Sequence, residues 1–454
     1  MKKFEILKPQ TRIARGFNKI RTPFEEFVHD EASGGLLLMG CAVLAMVFAN
    51  SGLAAMYDTV LATRVALSFG QFSLDYSIHH WINDGLMALF FFVVGLEIKR
   101  EILVGELADL RQAVLPIVAA VGGMVMPALL FLLFNFGAEG QGGWAIPMAT
   151  DIAFAIGVMV LLGDRVPKAL IGFLLALAIV DDLGAIIIIA LFYTSSIAWW
   201  ALGFAGIFLF LLVCCNRAGI RAPLPYFLLG GGLWLMMLQS GIHATLAGVI
   251  TALTVPANSM CSPAMFTAQI KRLAAKFKQA DQPGKSIMEN SEQQALLQNF
   301  ETTIHAMETP LQQLEHQLHI WVSFLIVPVF ALANAGVRVE LASLADSLMQ
   351  PVTLGIIVGL VVGKFLGVFG FSWLVIRLGV ARLPQGVNLT QVGGVGLLAG
   401  IGFTMAIFIG ELAYAGQAEL LTSAKMGIIA ASLIAGIGGY CWLLFAGKAT
   451  RAEG

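Results

Sequence analysis

The chain has 454 residues, of which 58% are hydrophobic and only 12% charged, and its mean hydropathy is +0.84. Soluble domains are about one-quarter charged, so a string of soluble domains is excluded. The formal net charge of −1 offers no basic excess for a nucleic-acid partner.

Apolar stretches of near bilayer-spanning length, about 20 residues, recur along the chain. Spans must be helices or a closed barrel. These runs are continuous, not alternating, so they read as helices. The expectation is an all-alpha integral membrane protein with about twelve transmembrane helices. The spans fall near 34–49, 78–98, 114–136, 145–162, 169–193, 199–215, 224–237, 241–254, 320–336, 352–374, 393–414 and 424–445.

The basic region of residues 1–30 is too long for a secretory signal, and the apolar run at 34–49 lacks a convincing cleavage site, so 1–30 read as a cytoplasmic, amphipathic basic arm on the inner leaflet. A first membrane region follows at 31–256, then a cytoplasmic insert and helical arm at 257–319. A second membrane region covers 320–446, and 447–454 is a cytoplasmic tail. With the amino terminus inside, only Arg64, Arg338 and Lys425 among the basic residues fall outside, and Lys364 falls within a span. That bias is the positive-inside pattern, and both termini are then cytoplasmic. In the first outer loop, VALSF and QFSLDY around Gly70 predict a small hairpin.

The insert opens with KRLAAKFKQADQPGKS, which reads as a flexible loop. A helix is expected from about Glu292 into the ninth span. The five cysteines, Cys41, Cys214, Cys215, Cys261 and Cys441, read as small apolar residues and not as disulfides or metal ligands.

Asp181 and Asp182 stand in ALIGFLLALAIVDDLGAIIIIALF, which holds no other charge. A charge at the bilayer centre costs at least about 2.5–3.5 kcal/mol on insertion scales, so it normally serves proton or cation chemistry. Adjacent helix residues point in different directions, so one acid can face a cavity while the other packs against a neighbour. The bland alternative is a pair neutralised by a buried Lys or by backbone donors.

Thr150 and Asp151 lie in GWAIPMATDIAFAIG. Pro147 removes a backbone donor there, and both side chains can bond locally to stabilise an interrupted helix. An ordinary helix cap is the alternative. Lys364 stands alone in GIIVGLVVGKFLGVFGFSWL, too deep to snorkel, and serves either as an anchor or as a proton carrier. Gly396, Gly400 and Gly402 before Thr404 mark a second candidate interruption.

Asn83 and Asp84 open the second span, and Glu97, Lys99, Arg100 and Glu101 close it. Glu315, His316 and His319 precede the ninth span, where a surface network sensitive to cytoplasmic pH would sit. His243, near the outer end of its span, reads first as a structural histidine.

These motifs resemble the bacterial NhaA-type sodium/proton antiporters. The resemblance rests on WINDGLMALFFFVVGLEIKRE, GWAIPMATDIAFAIG, ALAIVDDLGAIIIIALFY, SGIHATLAGVI, PVFALANAGV and GIGFTMAIFI, in order along the chain. It covers 34–257 and 315–444, whereas the arm and most of the insert lie outside it. It implies an inverted repeat in which spans four and eleven cross as discontinuous helices. It also implies an electrogenic secondary antiporter that exchanges cytoplasmic Na⁺ or Li⁺ for external protons, in sodium and pH homeostasis. That is a transporter and not an enzyme.

The resemblance makes Asp182 the principal cation ligand and Asp181 its partner in the proton cycle. Asp151 and Thr150 would lie at the crossing, opposite Lys364. Asp84 becomes a periplasmic acid, Glu97 and Glu101 border the cytoplasmic funnel, and Glu315, His316 and His319 form the alkaline-activation cluster. His243 is tied to pH response and a dimer contact. The implied setting is the inner membrane, with the lipid bilayer and a second copy as partners, no cofactor and no obligate protein partner. The family usually has a shorter loop where the insert joins that cluster.

Three other classes fit the residues less well. A sodium-coupled symporter of a small organic solute needs a larger polar or aromatic pocket. A channel needs a continuous pore or filter motif. A scaffold has no use for Asp151, Asp181, Asp182 and Lys364 at depth.

Overall fold

The computed structural model describes residues 31–69, 72–194, 197–258, 263–281, 287–305, 308–339 and 344–449. The expected basic arm at 1–30, Cys261 and most of the carboxy-terminal tail lie outside the described residues.

In chain order, α1 (Glu31–Ala49) is followed by α2 (Ala54–Ala62) and the strands β1 (Arg64–Phe69) and β2 (Phe72–Ser77). A helical turn (Ile78–His80) and a π-turn (Trp81–Leu86) lead into α3 (Met87–Val104), and α4 (Leu110–Asn135) follows. A 3₁₀ segment (Glu139–Met148) precedes α5 (Ile152–Val160) and α6 (Lys168–Phe192). Next come α7 (Trp199–Arg217), α8 (Pro223–Ser240), α9 (Thr245–Thr254), α10 (Pro263–Gln279), α11 (Ser291–His305) and α12 (Pro310–Trp321). A second π-turn (Val322–Ile326) joins α12 to α13 (Val327–Asn334), and a third (Gly359–Gly363) joins α14 (Pro351–Val358) to α15 (Lys364–Arg377). The chain closes with α16 (Leu389–Leu398), α17 (Phe403–Ala413) and α18 (Ala418–Ala449).

Among the described residues, 6 helices are long and apolar enough to cross a membrane, or 9 if each bent pair counts once. The expected stretches at 78–98, 224–237 and 241–254 fall on a π-interrupted helix, on α8 and on the short α9. The chain is therefore a helical membrane protein with discontinuous spans. The hairpin expected around Gly70 forms as an antiparallel pair in which Val65 faces Tyr76 and Leu67 faces Leu74. The helix α2 before it breaks from α1 at 111°.

The insert departs from its expected loop. Residues 263–279 form α10, with Phe266, Ile270, Leu273 and Phe277 half-buried along one stripe. Apolar residues at that spacing share a helix face, and the rings of Phe277 and Phe300 of α11 meet at 6.3 Å. The helix expected from Glu292 begins at Ser291 and ends at His305, and α12 starts afresh at Pro310. Proline is well suited to a first helical turn and poorly suited to a helix interior.

The chain divides into two compact units, one comprising Met1–Met87, Glu101–Thr194 and Ile320–Gly454, the other Ala88–Arg100 and Ser195–His319. In the first, α4 and α15 pack closely through glycine. A Cβ on Gly122 would lie 2.4 Å from the Gly367 carbonyl oxygen, so only a hydrogen fits. Small residues permit such close helix approach in membranes. In the second, Phe92, Leu96, Leu212, Tyr226, Leu233, Ala252 and Leu311 share one buried apolar cluster.

Candidate functional site at a crossing of broken helices

Besides the bend between α1 and α2, two further helices of the first unit are interrupted. The Glu139–Met148 segment and α5 bend by 44° about 149–151, and α16 and α17 bend by 48° about 399–402. Pro147 and the glycines near each break favour interruption over a continuous helix. The breaks touch, with the Asp151 N–H donating to the Ile401 carbonyl at 2.7 Å. A Cβ on Gly400 would come within 2.3 Å of the Leu360 carbonyl, so the second break needs glycine there.

Asp151 joins the two interruptions. Its Oδ1 accepts from the Phe154 N–H at 3.0 Å and caps α5. Its Oδ2 accepts from the Thr404 N–H at 3.0 Å and from the Thr404 hydroxyl. One buried carboxylate thus accepts from an amino-terminal donor of each of α5 and α17, where the helix dipoles favour negative charge. The sequence indicates the first of these bonds. It gives Thr404 only as the residue after a glycine run, and it carries no sign of the carbonyls of Ala399 and Ile401.

Beside the crossing, Asp181 Oδ2 is ion-paired with Lys364 Nζ, and both side chains are fully buried. The Thr150 hydroxyl lies 2.7 Å from the same Asp181 oxygen and 2.9 Å from the Ala399 carbonyl. Its single hydrogen serves one acceptor at a time. Lys364 begins α15 directly after the π-turn at Gly359–Gly363, and Gly123 of α4 lies alongside its stem. Asp182, next to Asp181 on α6, is also buried. Thr150, Asp151, Asp181 and Lys364 therefore meet in one place within a single unit.

This constellation offers compensated charge at depth. The helix ends, the carboxylates and one ammonium balance each other, leaving oxygen donors of the kind hard cations prefer. Protons compete for the same carboxylate oxygens. Among the described residues, no group of three or more His, Cys, Asp or Glu is placed to hold a resident metal ion.

The other predicted residues lie elsewhere. In the first unit, Asp84 sits in the π-turn at Trp81–Leu86 and its Oδ2 lies 3.1 Å from His80 Nε2. Glu101 is buried and accepts from the Glu106 N–H at 3.0 Å. In the second unit, Glu97 is half-buried on α3, and Arg100 Nε lies 3.3 Å from Glu315 Oε1. His316 and His319 are exposed on α12, and His243 sits in the turn between α8 and α9. Lys99, absent from the expected site, donates to the Leu253 carbonyl at 2.7 Å and to that of Val255, closing the carboxy-terminal end of α9.

A family model described as Na⁺/H⁺ antiporter 1 matches residues 25–443. The chain is 52% identical over 437 residues to the Na(+)/H(+) antiporter NhaA of Sulfurimonas denitrificans, covering 96% of this chain and 98% of that one. It is 50% identical to the Na(+)/H(+) antiporter NhaA 1 of Saccharophagus degradans, covering 96% of this chain and 94% of that one. It is also 50% identical to the Na(+)/H(+) antiporter NhaA of Oleidesulfovibrio alaskensis, covering 93% and 94%.

Proposed function

The chain belongs to the Na⁺/H⁺ antiporter 1 family and is a sodium/proton antiporter, and from that premise we propose how its residues carry the exchange. Protons and Na⁺ or Li⁺ compete for Asp182 and Asp181. The ionised carboxylates hold the cation, and the protonated ones release it. Exposing the site to one side and then the other converts competition into exchange. With more than one proton moved per cation, transport is electrogenic and draws cytoplasmic Na⁺ outward against entering protons. The protein is a transporter, with no chemical conversion of its cargo.

The observation that carries this reading is the junction of Thr150, Asp151, Asp181 and Lys364 at two touching helix breaks. Asp151 acts there as the shared cap of the half-helices, and Lys364 as counter-charge to Asp181. Thr150 links the Asp181 carboxylate to the break through Ala399. The arrangement fits about twelve spans with an inverted repeat, in which the stretch from α4 to α6 corresponds to that from α14 to α18. The setting is a bacterial inner membrane with both termini cytoplasmic, and a homodimer. Asp84 then lies on the outer side. Glu97, Glu101, Glu315, His316 and His319 lie on the inner side, where they set the response to cytoplasmic pH, and His243 contributes to that response.

Na⁺-dependent proton flux in proteoliposomes tests the reading, with Li⁺ and K⁺ run alongside at several pH values. Exchange with Na⁺ and Li⁺ but not K⁺ is expected. Uptake of an organic solute with Na⁺, and no proton movement, would replace it with symport.

A further inference from the structure

The first unit holds another set of charged side chains, about two helical turns from the crossing along α17. Glu411 Oε1 lies 2.6 Å from Lys425 Nζ on α18 and 3.8 Å from His79 Nε2. The Lys425 and Glu411 side chains are only 12% and 13% exposed, while His79 is 32% exposed. His79 Nε2 also lies 2.9 Å from Asn334 Oδ1.

The amide of Asn334 decides which ring nitrogen carries hydrogen. Asn334 Nδ2 donates to the Phe330 carbonyl at 3.0 Å and to Asn83 Oδ1 at 2.8 Å. A backbone carbonyl can only accept, so the amide orientation is fixed and Oδ1 faces His79 as an acceptor. His79 Nε2 must then be the donor. The neutral ring is held as the Nε2–H tautomer, and Nδ1 is the nitrogen left to take a proton. Protonation places a second cation beside Glu411 without breaking the bond to Asn334.

Among the described residues, several other charged or titratable groups nearby have partners of their own. His80 pairs with Asp84, and Asp58 pairs with Arg338. Arg64 pairs with Asp75, and Tyr57 donates to the Leu332 carbonyl at 2.7 Å. The carboxylate that the structure places beside His79 is Glu411, at 3.8 Å.

Glu411 also shares a helix with the crossing. It follows Thr404 on α17 by two turns, roughly 10 Å, and on nearly the same face. Thr404 bonds Asp151 at the start of that helix. Whatever fixes the Glu411 end of α17 bears on the end that meets Asp151.

We infer that Glu411 is a positioning residue for the exchange reaction, tying α17 to α18 through Lys425 and to the 78–86 segment through His79, and that the His79 contact makes this tie respond to pH on the outer side. An acidic exterior charges His79, tightens the segments about Glu411 and slows exchange. A neutral or alkaline exterior leaves only the Lys425 pair and lets α17 move. The inference rests on the proposed reading that the amino terminus is cytoplasmic, which puts residues 78–86 at the outer end of the second span.

The test uses the full-length chain in proteoliposomes of one known orientation, with pH varied on one face while the other is held constant. External pH is scanned over about 5–8, where imidazoles change charge. The parent protein should slow on the acidic side by about fivefold or more, the low end of coupling between linked sites. His79→Gln keeps a donor for Asn334 and removes the added charge, so the slowing on the acidic side should disappear, leaving only the dependence that proton supply imposes, while its cytoplasmic profile is unchanged. Glu411→Gln should abolish the same slowing, and H79Q with E411Q should add nothing further. An H79Q profile that follows the parent overturns the inference, whether or not E411Q folds. A flattened response to pH on the amino-terminal side would instead overturn the side assignment, and a parent without Na⁺-dependent proton flux would overturn the antiport reading itself.

Discussion

Lys364 and Asp181 form an ion pair whose two side chains are completely withdrawn from solvent. An ammonium and a carboxylate at such depth are tolerable only together. Removing one partner leaves the other as an uncompensated buried charge, typically a loss of about 3–5 kcal/mol.

Lys364→Ala should therefore lower thermal stability markedly in detergent-solubilised protein, and Lys364→Arg should keep most of it. K364R should also retain measurable exchange if the lysine serves as counter-charge. Arginine does not deprotonate in proteins, so inactivity of folded K364R would make Lys364 an obligatory proton carrier.

Asp182→Asn should abolish exchange while leaving membrane insertion and folding intact. The amide is close in shape but offers neither the charge a cation needs nor the group a proton competes for. Full vesicle exchange by well-folded D182N would remove Asp182 from the binding site.

Thr404→Val tests the shared cap. Valine preserves shape and the backbone N–H bond to Asp151, and deletes the hydroxyl bond. A hydrogen bond to a charged group contributes about 1.5–3 kcal/mol, so T404V should unfold at lower temperature. Its apparent affinity for Na⁺ should also shift. An unchanged unfolding temperature would mean that the backbone bond alone secures α17.

Tyr57 supplies a prediction about pH. Burial, and then the nearby Asp58 carboxylate, push its hydroxyl up to about 12. An unfolded tyrosine titrates near 10. The folded state thus favours the protonated ring. That contribution is complete below about pH 10 and falls as pH rises from there toward the folded value. Tyr57→Phe should cost about 1 kcal/mol, by a constant amount from pH 6 to 9. A penalty that vanished by pH 8 would show that the phenol does not stay a donor to the Leu332 carbonyl.

Deleting residues 263–305 across a short linker should leave exchange intact and shift the activation pH, because α12 and its Glu315, His316 and His319 follow directly. The boundary matters. Leu311 is buried in the apolar cluster of the second unit, and its N–H donates to the Pro256 carbonyl at 3.3 Å. A deletion carried through Gln312 should lower stability as well. A pH profile identical to the parent's would reduce α10 and α11 to a solvated appendage.

The parts of the site legible in the sequence were those that violate hydropathy. Asp181, Asp182 and Lys364 interrupt apolar runs, and an unexplained charge is conspicuous there. Thr150 and Asp151 stand out beside Pro147. The rest leaves no such mark. Thr404 is unremarkable in a membrane helix, and the carbonyls of Ala399 and Ile401 belong to every residue type. Their importance comes from a crossing between segments some 250 positions apart. The helix α10 was legible in principle through its stripe of Phe266, Ile270, Leu273 and Phe277. Its polar remainder masks that period. Glu411, His79 and Asn334 sit near span ends, where polar side chains need no special reason.

The π-turn at Gly359–Gly363 has a consequence for the evolution of the chain. Such a turn accommodates one residue more than an α-helix needs. Removing a single residue between 359 and 363 would restore regular winding and leave every downstream position advanced by one. Each such step rotates a side chain by roughly 100° about the axis. Lys364 would swing away from Asp181 although no charged residue had been touched. The phase of α15 thus hangs on the one extra residue in that turn.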